Sequence, residues 1–403
     1  MLREVPEGWR RLKFGDIFRQ RVERGRQDLP LLSVTGENGV VLRDDLDRRD
    51  TSSADKSRYL TVMPGDLVYN TMRMWQGVSG ISSHEGITSP AYTVCEPVPE
   101  LDSRFAGYLL KMPMLVAEFH SRSQGIVNDT LSLKYPKFAE ILLLFPPLHE
   151  QRRIAEILSS ADDSIAATRA VIEQTRKVRL GVLERLLTRG IGHTRFKQTE
   201  IGEIPEGWDV KPVDELCVLS NGNGFRPPDW SDTGLPIIRI QNLNGSQNFN
   251  YFNGTPLDKW LIHPGDLLFA WAGVRGVSFG PTIWPGPLGV LNQHIFKISC
   301  REQFDKLWLF HMMKLITSRI EAKAHGFKDS LLHVHKKEIT GQLVPVPSYA
   351  EQVQISAIMG EILLTEDLAA ASHQRLVATK SALMSDLITG RKRVADALLM
   401  AAE

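Results

Sequence analysis

Cysteine is scarce in this sequence: Cys95, Cys217 and Cys300 lie far apart and form no CxxC pair. Neither a disulfide framework nor a structural zinc site is expected, because both need a denser cysteine pattern. Long hydrophobic runs are also missing, and none reaches the roughly 18–20 residues that a membrane-spanning helix needs. The opening residues, MLREVPEGWR, are charged and lack the apolar stretch of a secretory signal. We therefore expect a cytoplasmic protein.

An excess of charge of either sign is absent too, since 48 Lys and Arg residues face 47 Asp and Glu residues. This balance excludes a histone-like polycation and an acidic disordered tail. It does not exclude a nucleic-acid partner, because a basic surface can be local. With 403 residues, 42% of them hydrophobic, the chain has the composition of a globular protein of two or three domains.

The motifs of common catalytic sites are missing as well. The sequence has no GxxxxGK[ST] phosphate loop, and the Gly222–Pro227 segment breaks the GxGxxG pattern of a cofactor loop. Neither Pro-Pro pair has the polar and aromatic neighbours found in amino-methyltransferases. His333 and His335 have no cysteine or carboxylate at ligand spacing. The sequence therefore predicts no catalytic residue, no cofactor and no metal site.

What the sequence does contain is an internal repeat with a period of about 200 residues. Four blocks recur in the same order: VPEGW and IPEGW (Val5–Trp9, Ile204–Trp208), MPGDLVYN and HPGDLLFA (Met63–Asn70, His263–Ala270), a Pro-rich stop before Glu-Gln (Phe145–Leu158, Val344–Met359), and ERLLTRG and SDLITGR (Glu184–Gly190, Ser385–Arg391). The nearly constant offset indicates a tandem duplication.

Each copy begins with short apolar runs bounded by Gly, Pro, Asn and Asp, which is typical of strands between turns. The predicted strands are Leu29–Val34, Asp66–Asn70 and Ala91–Pro97, with counterparts at Leu235–Ile240, Asp266–Trp271 and His294–Ser299. The PGD segments predict tight turns. One helix is predicted to follow in each copy, at Arg104–Phe119 and Lys306–Ala324.

After the Pro-rich stop, apolar residues recur every seven positions over about 40 residues, or about 60 Å of helix. The heptad series are Leu158, Ile165, Ile172, Arg179 and Leu186, then Ile355, Ile362, Ala369, Leu376 and Leu383. A companion heptad series in the second copy mixes apolar with polar residues, the polar ones being Glu366, His373 and Lys380. So narrow a seam predicts a coiled coil, and the simplest partner is the other copy, paired antiparallel.

These blocks, taken in order, resemble the specificity (S) subunits of Type I restriction–modification systems along essentially the whole chain. The shared features are P-x-G-W, PGDL, a proline stop, Glu-Gln and a long helix that ends near Leu-x-Thr. They lie at Pro6–Trp9, Pro64–Leu67, Pro146-Pro147, Glu150-Gln151 and Leu186–Gly190, then at Pro205–Trp208, Pro264–Leu267, Pro345–Pro347, Glu351-Gln352 and Leu387–Gly390. A linker with the spacing K-x-T-x-I-G-x-I-P-x-x-W, Lys197–Trp208, joins the copies.

The resemblance implies an α+β fold with two tandem target recognition domains separated by two long antiparallel coiled-coil helices. The expected segments are recognition domain 1 (1–148), long helix 1 (149–190), a linker (191–205), recognition domain 2 (206–347), long helix 2 (348–394) and a C-terminal tail (395–403). It also implies a non-catalytic subunit that reads a split double-stranded DNA site. The expected partners are methyltransferase (modification) subunits, two of them, and ATP-dependent restriction subunits; no membrane is expected.

Three loops in each copy are the best candidates to contact DNA, because Arg suits guanine and phosphate while Asn and Gln suit adenine. The candidates are Thr35, Asn38, Thr71, Arg73, Trp75, Gln76, Gln124, Asn128, Thr130 and Lys134, then Arg239, Gln241, Asn242, Asn244, Arg275, Lys328, Ser330, His333 and Lys336. Trp75 and Trp271 suit the core equally well, and for each loop residue a solvated surface is the competing interpretation. Trp9 and Trp208 are expected to pack.

Two other functions remain open at this point. One is a scaffold with two tandem protein-binding domains, which predicts no salt-dependent affinity for DNA. The other is the specificity component of a bifunctional nuclease–methyltransferase system, which shares the architecture and differs in its partner.

Overall fold

The computed structural model of the chain describes residues 5–47, 53, 55–127, 130–323 and 332–394. It divides into two compact units, Met1–Arg169 with Ala371–Glu403, and Ala170–Ala370. Each unit combines a globular domain with a part of each long helix. The candidate residues Asn128, Lys328 and Ser330 and the predicted tail 395–403 lie outside the described residues.

The globular part of the first unit is built on an antiparallel sheet of order β2-β9-β6-β7, with a separate β1–β10 pair. Its strands are β1 (Arg10–Lys13), β2 (Phe18–Arg21), β3 (Leu32–Thr35), β4 (Gly39–Leu42), β5 (Leu60–Val62), β6 (Leu67–Asn70), β7 (Ser79–Ile81), β8 (Gly86–Thr88), β9 (Tyr92–Pro97) and β10 (Leu142–Phe145). Its helices are α1 (Phe14–Ile17), α2 (Ser103–Leu109), α3 (Pro113–Arg122) and α4 (Tyr135–Ala139), and the long α5 (Leu148–Arg189) follows.

The second unit repeats this plan, with the sheet order β14-β22-β18-β20 and the pair β13–β24. Its strands are β11 (Phe196–Thr199), β12 (Gly202–Pro205), β13 (Asp209–Pro212), β14 (Cys217–Asn221), β15 (Leu235–Ile238), β16 (Asn250–Phe252), β17 (Leu261–Ile262), β18 (Leu267–Ala270), β19 (Ala272–Gly273), β20 (Gly280–Ile283), β21 (Gly289–Leu291), β22 (Ile295–Cys300), β23 (Leu332–His333) and β24 (Leu343–Val346). Its helices are α6 (Val213–Leu216), α7 (Ile240–Leu243), α8 (Lys306–Lys323) and α9 (Lys336–Thr340), followed by the long α10 (Tyr349–Ile388). The matching sheet orders confirm the tandem duplication.

The PGD turns are as the sequence predicts, with Gly65 in the left-handed region at φ +93°. The aspartate of each turn also anchors it to the sheet. Asp66 accepts a hydrogen bond of 2.8 Å from Arg21 on β2, and Asp266 lies 2.8 Å from the Lys297 ammonium on β22. Burial raises the pKa of Asp66 even though Arg21 opposes it. Burial also acts on Asp266 and is the largest single effect, but the hydrogen bonds from Lys297 and the His263 N–H, together with the nearby positive charge of Lys297, outweigh it and leave the pKa of Asp266 lowered.

The prediction of a single helix over Arg104–Phe119 was wrong, because two helices, α2 and α3, occupy this stretch. Pro113 stands at the first position of α3; it has no N–H to donate and holds Met112 in an extended conformation (φ −62°, ψ 127°). In the second copy no proline interrupts the helix, and α8 is continuous over the described part of the predicted range.

Each unit has its own hydrophobic core, and both long helices contribute to it. In the first unit Phe14 stacks on Phe138 with ring centroids 4.6 Å apart, and the same core takes in Leu158 of α5 and Leu387 of α10. The core of the second unit surrounds Trp208 and Trp308 and takes in Leu186, Leu187, Ile355 and Met359. The expectation that Trp9 and Trp208 pack is confirmed, since both are buried.

The two long helices pair antiparallel within each unit. In the first unit the early part of α5 meets the late part of α10, where Lys380 lies 2.5 Å from Asp162. In the second unit the late part of α5 meets the early part of α10, where Arg176 and Arg179 lie 2.8 Å and 3.2 Å from Glu366. Three of the polar residues that interrupt the heptads, Arg179, Glu366 and Lys380, are therefore paired across the seam. The predicted fold class is confirmed.

Candidate nucleic-acid interface

In the first domain, the three predicted loops come together at one edge. The loop after β6 lies beside the segment before α4, because the Leu133 N–H donates to the Thr71 carbonyl at 2.9 Å. The β3–β4 turn joins them through Lys111, whose ammonium donates to the carbonyls of Gly36 (3.3 Å) and Gly77 (2.7 Å). Partial burial lowers the pKa of Lys111, and this half-buried lysine ties two loops together.

The second domain repeats this convergence with different side chains. The Val334 N–H donates to the Trp271 carbonyl at 3.0 Å, which places the loop after β18 beside the segment before α9. The Trp271 indole N–H donates to the Gln293 carbonyl at 3.1 Å. The neighbouring Asn292 N–H donates at 3.0 Å to Ile238, at the end of β15. One edge of this domain therefore also gathers the predicted loops.

Around the β3–β4 turn and the start of the next loop, the candidate threonines have local partners. The Thr35 hydroxyl is half-buried and accepts the Asn38 N–H at 2.9 Å, which leaves the Asn38 side chain exposed. The half-buried Thr71 hydroxyl lies 3.3 Å from that of Thr93. Of these candidates, Asn38 is the one most open to a ligand.

The loop after β6 presents one cation, one amide and one aromatic ring. Arg73 and Gln76 are exposed, and Trp75 is half-buried. Trp75 packs edge-on against His120, with ring centroids 5.6 Å apart, and its indole N–H donates to the Met72 carbonyl at 3.1 Å. The ring is thus held in place with one part still accessible.

The segment before α4 contains an apolar tip that was not among the predicted DNA-contact residues. Gln124 and Ser132 pair through their backbones, and the Thr130 hydroxyl accepts the Ile126 N–H at 3.1 Å. Ile126 is 99% exposed, which is exceptional for isoleucine, and Val127 is also exposed. Lys134 is exposed at the start of α4. Apolar side chains can contact the methyl group of thymine, so this tip belongs with the polar candidates.

In the loop around α7, the candidate amides have different placements. Asn242 is buried: its side chain accepts the Arg239 N–H at 2.9 Å and donates to the carbonyls of Ser246 and Asn248 at 2.9 Å and 3.0 Å. It therefore holds the loop together from within. Gln241 and Asn244 lie on the surface of the same loop.

The remaining candidates of the second domain surround the Trp271 ring. His333 is exposed and lies edge-on to that ring, with centroids 5.8 Å apart. Arg275 is exposed in the loop after β19. The Lys336 ammonium donates to the Leu219 carbonyl at 2.7 Å, so part of its hydrogen-bonding capacity is used within the domain.

The repeated P-x-G-W and Glu-Gln blocks meet in each unit. In the first unit the Trp9 indole donates to Glu150 at 2.8 Å, and Arg393 donates to the same carboxylate at 2.9 Å and 3.0 Å. In the second unit the Trp208 indole donates to Glu351 at 2.9 Å.

The basic residue beside the carboxylate differs between the units. Arg393 follows the end of α10, whereas His193 follows the end of α5 and lies 2.8 Å from Glu351. The adjacent glutamines bind backbone: Gln151 accepts the Asp102 N–H, and Gln352 accepts the Asp305 N–H. These blocks therefore fix each domain to its helices.

Two structural features are absent from the described part of the chain. No group of three or more His, Cys, Asp or Glu side chains there is placed to hold a metal ion. No helix there is both long and apolar enough to cross a membrane.

A family model for the Type I restriction modification DNA specificity domain matches residues 6–175 and again residues 205–376. Together the two matches cover most of the chain, and the protein belongs to this family of type I specificity subunits. The predicted family and function class are confirmed.

Relatives of known name agree with this assignment. The chain is 23% identical to the Type I restriction enzyme MjaVIII specificity subunit of Methanocaldococcus jannaschii, over 97% of this chain and 94% of the relative. It is 25% identical to the EcoBI specificity subunit of Escherichia coli, over 47% of this chain and 40% of the relative.

Solved structures share the fold. One, reported for complex assembly and conformational transition of the type I R-M system, superimposes with a TM-score of 0.64 at 15% identity, over 96% of this chain and 99% of the other. The crystal structure of the HsdS subunit from Thermoanaerobacter tengcongensis gives a TM-score of 0.53 at 15% identity, over 96% and 98%.

Proposed function

We propose that this chain is the non-catalytic subunit that selects the DNA sequence for a type I restriction–modification enzyme. Recognition domains 1–148 and 206–347 each read one half of a bipartite double-stranded site. The observation that carries this proposal is the repeated loop convergence, in which the Leu133–Thr71 bond of one domain recurs as the Val334–Trp271 bond of the other. One framework thus presents two different sets of side chains.

The chemistry of the two edges suits DNA. Exposed Arg73, Lys134 and Arg275 can neutralise phosphates, which position the protein without reading sequence. Exposed amides, such as those of Asn38 and Gln241, can read base edges in the major groove. Because the side chains differ between the two edges, the two half-sites should have different sequences.

The long helices offer a surface for the partner subunits. On α10, Tyr349, Val353, Leu364 and Leu368 are exposed, and their spacing of 4, 11 and 4 residues puts them within about 100° of one helix face. Such a stripe is costly in water and suits an apolar helix of another protein. We propose that two methyltransferase subunits dock on the helices and that restriction subunits join this assembly.

Catalysis belongs to those partners in this proposal. Adenine methylation is carried out by the modification subunits, and ATP-dependent cleavage by the restriction subunits. This chain contributes no catalytic residue and no cofactor, and its role is to place the methyltransferases on the DNA.

The test is to express the chain with the modification subunit of its own genome in a host without adenine methylation, and to map the methylated adenines. We expect one two-part motif with a fixed spacer, absent when this chain is omitted. An unchanged motif without this chain, or no sequence preference from an assembled complex, would refute the proposal.

A further inference from the structure

Arg239 has an unusual environment at the recognition edge of the second domain. Its guanidinium lies over the ring of Trp230, 4.5 Å from the ring centroid. Its Nε atom is buried and has no hydrogen-bond partner. Burial lowers the pKa of Arg239, and no neighbouring charge acts on it. An arginine nevertheless stays charged in a protein, so the site holds a partly desolvated cation.

Two other half-buried arginines of the described residues each have an anionic partner. Arg21 binds Asp66 at 2.8 Å, and Arg122 binds Glu118 at 3.0 Å. Desolvating a cation without such a partner is unfavourable, so an unpaired one is kept where a ligand completes it. Stacking on Trp230 offsets only part of that penalty.

The backbone holds Arg239 ready for a ligand. Its N–H donates to the buried side chain of Asn242, which also fixes the turn that follows. Ile238, the preceding residue, accepts the Asn292 N–H, in the segment that receives the Trp271 indole. Arg239 thus sits on the same edge as the other candidate residues, next to exposed Gln241.

We propose that Arg239, stacked on Trp230, reads a guanine in the half-site of the second domain, an inference that rests on the proposed function. Burial of Nε leaves the two terminal amino groups as the free donors. Their parallel N–H bonds match the O6 and N7 acceptors of guanine in the major groove. The ring fixes the plane of the fork, which a base edge requires and a single phosphate oxygen does not.

The test uses the complex of this chain with its modification subunit and the variant Arg239→Lys, which keeps the charge and loses the planar fork. Mapping of methylated adenines should show that guanine is no longer required at one position of the second half-site. Discrimination at that position should fall by about tenfold to a hundredfold. The first half-site and the spacer should not change. Arg301→Lys, at the exposed residue that follows β22, is the matched control and should leave the motif intact.

A second measurement starts from the wild-type complex and changes the DNA instead. Replacing each guanine of the second half-site in turn by 7-deazaguanine removes the N7 acceptor. One position should weaken binding of the wild-type complex, and the same replacement should have little effect on the Arg239→Lys complex.

The outcomes separate this inference from the proposed function. An unchanged motif with Arg239→Lys, or wild-type binding that is indifferent to every 7-deazaguanine, overturns guanine reading while the chain remains a specificity subunit. If Arg239→Gln weakens all sequences equally and Arg239→Lys restores them, Arg239 contacts phosphate, which also overturns it. A wild-type complex without any motif would instead refute the proposed function.

Discussion

At the scale of single residues, one tryptophan and one glutamate join each globular domain to its long helices. The P-x-G-W tryptophan and the Glu-Gln glutamate are about 140 residues apart in each copy, yet they bind one another through Trp9 and Glu150 and through Trp208 and Glu351. The direction of a side chain decides whether a predicted DNA-contact residue can reach a base. The amide of Asn242 could in principle read a base, but in the folded domain it points inward and holds the loop together.

The Glu150 contact predicts a stability effect in the first unit. Glu150→Gln leaves Arg393 without its carboxylate and should lower the free energy of unfolding by about 2–3 kcal/mol, since Glu150 is 5% exposed. Urea unfolding followed by tryptophan fluorescence measures it. Glu156→Gln, which breaks only the exposed Arg153 pair, is the control and should cost less than about 1 kcal/mol. Equal losses from the two variants would contradict this account.

His311 predicts a pH dependence in the second unit. Burial, with help from Lys314 and Arg179, lowers the pKa of His311 to about 4. The unfolded chain therefore binds this proton first, near pH 6.5, so folding stability is complete above that pH and falls as the pH drops towards 4. Between pH 7.5 and pH 5 the loss should be about 2 kcal/mol. Denaturant unfolding of His311→Leu should show a shallower pH dependence, and an unchanged slope would show that His311 does not cause it.

At the scale of elements, heptads and turn residues were sufficient to predict the long helices, the PGD turns and most central strands. The error over Arg104–Phe119 came from letting helix formers outweigh Pro113, whose missing N–H ends a helix. The polar residues at heptad positions could not be interpreted from the sequence of one helix alone. Arg179 and Glu366 looked like defects until the antiparallel pairing brought them together.

The seam can be tested by exchanging charges. Arg179→Glu places two carboxylates together and should lower the melting temperature of the second unit. Adding Glu366→Arg should recover most of the loss, with a coupling energy of about 1–3 kcal/mol. Calorimetry of the two single variants and the double variant measures it. If the double variant is only as stable as the two single losses predict, this pair does not hold the register.

At the scale of the whole molecule, duplication was visible in the sequence and sufficient to predict the fold class. The base-reading residues were not predictable to the same degree, because they depend on which loops meet. Trp230 was missed since it lies in sequence before β15 and reaches Arg239 only after the chain has turned back.

The helices should also set the spacer of the DNA site. Seven residues inserted after Arg169 and seven after Ala370 keep the heptad register and lengthen both helices by about 10 Å. At about 3.4 Å per base pair, the spacer should grow by about three base pairs with both half-sites unchanged. Methylation mapping checks this, and an active complex with the old spacer would show that another part of the assembly sets the distance.

The central claim, that each domain independently reads half of the DNA site, is tested most directly by exchanging one domain. Residues 1–148 are replaced by the same region of a relative with a different motif, fused at the start of α5, and the methylated adenines are mapped for the complex. The account predicts a hybrid motif in which one half comes from the relative and the other half and the spacer are unchanged. A motif altered in both halves would contradict it.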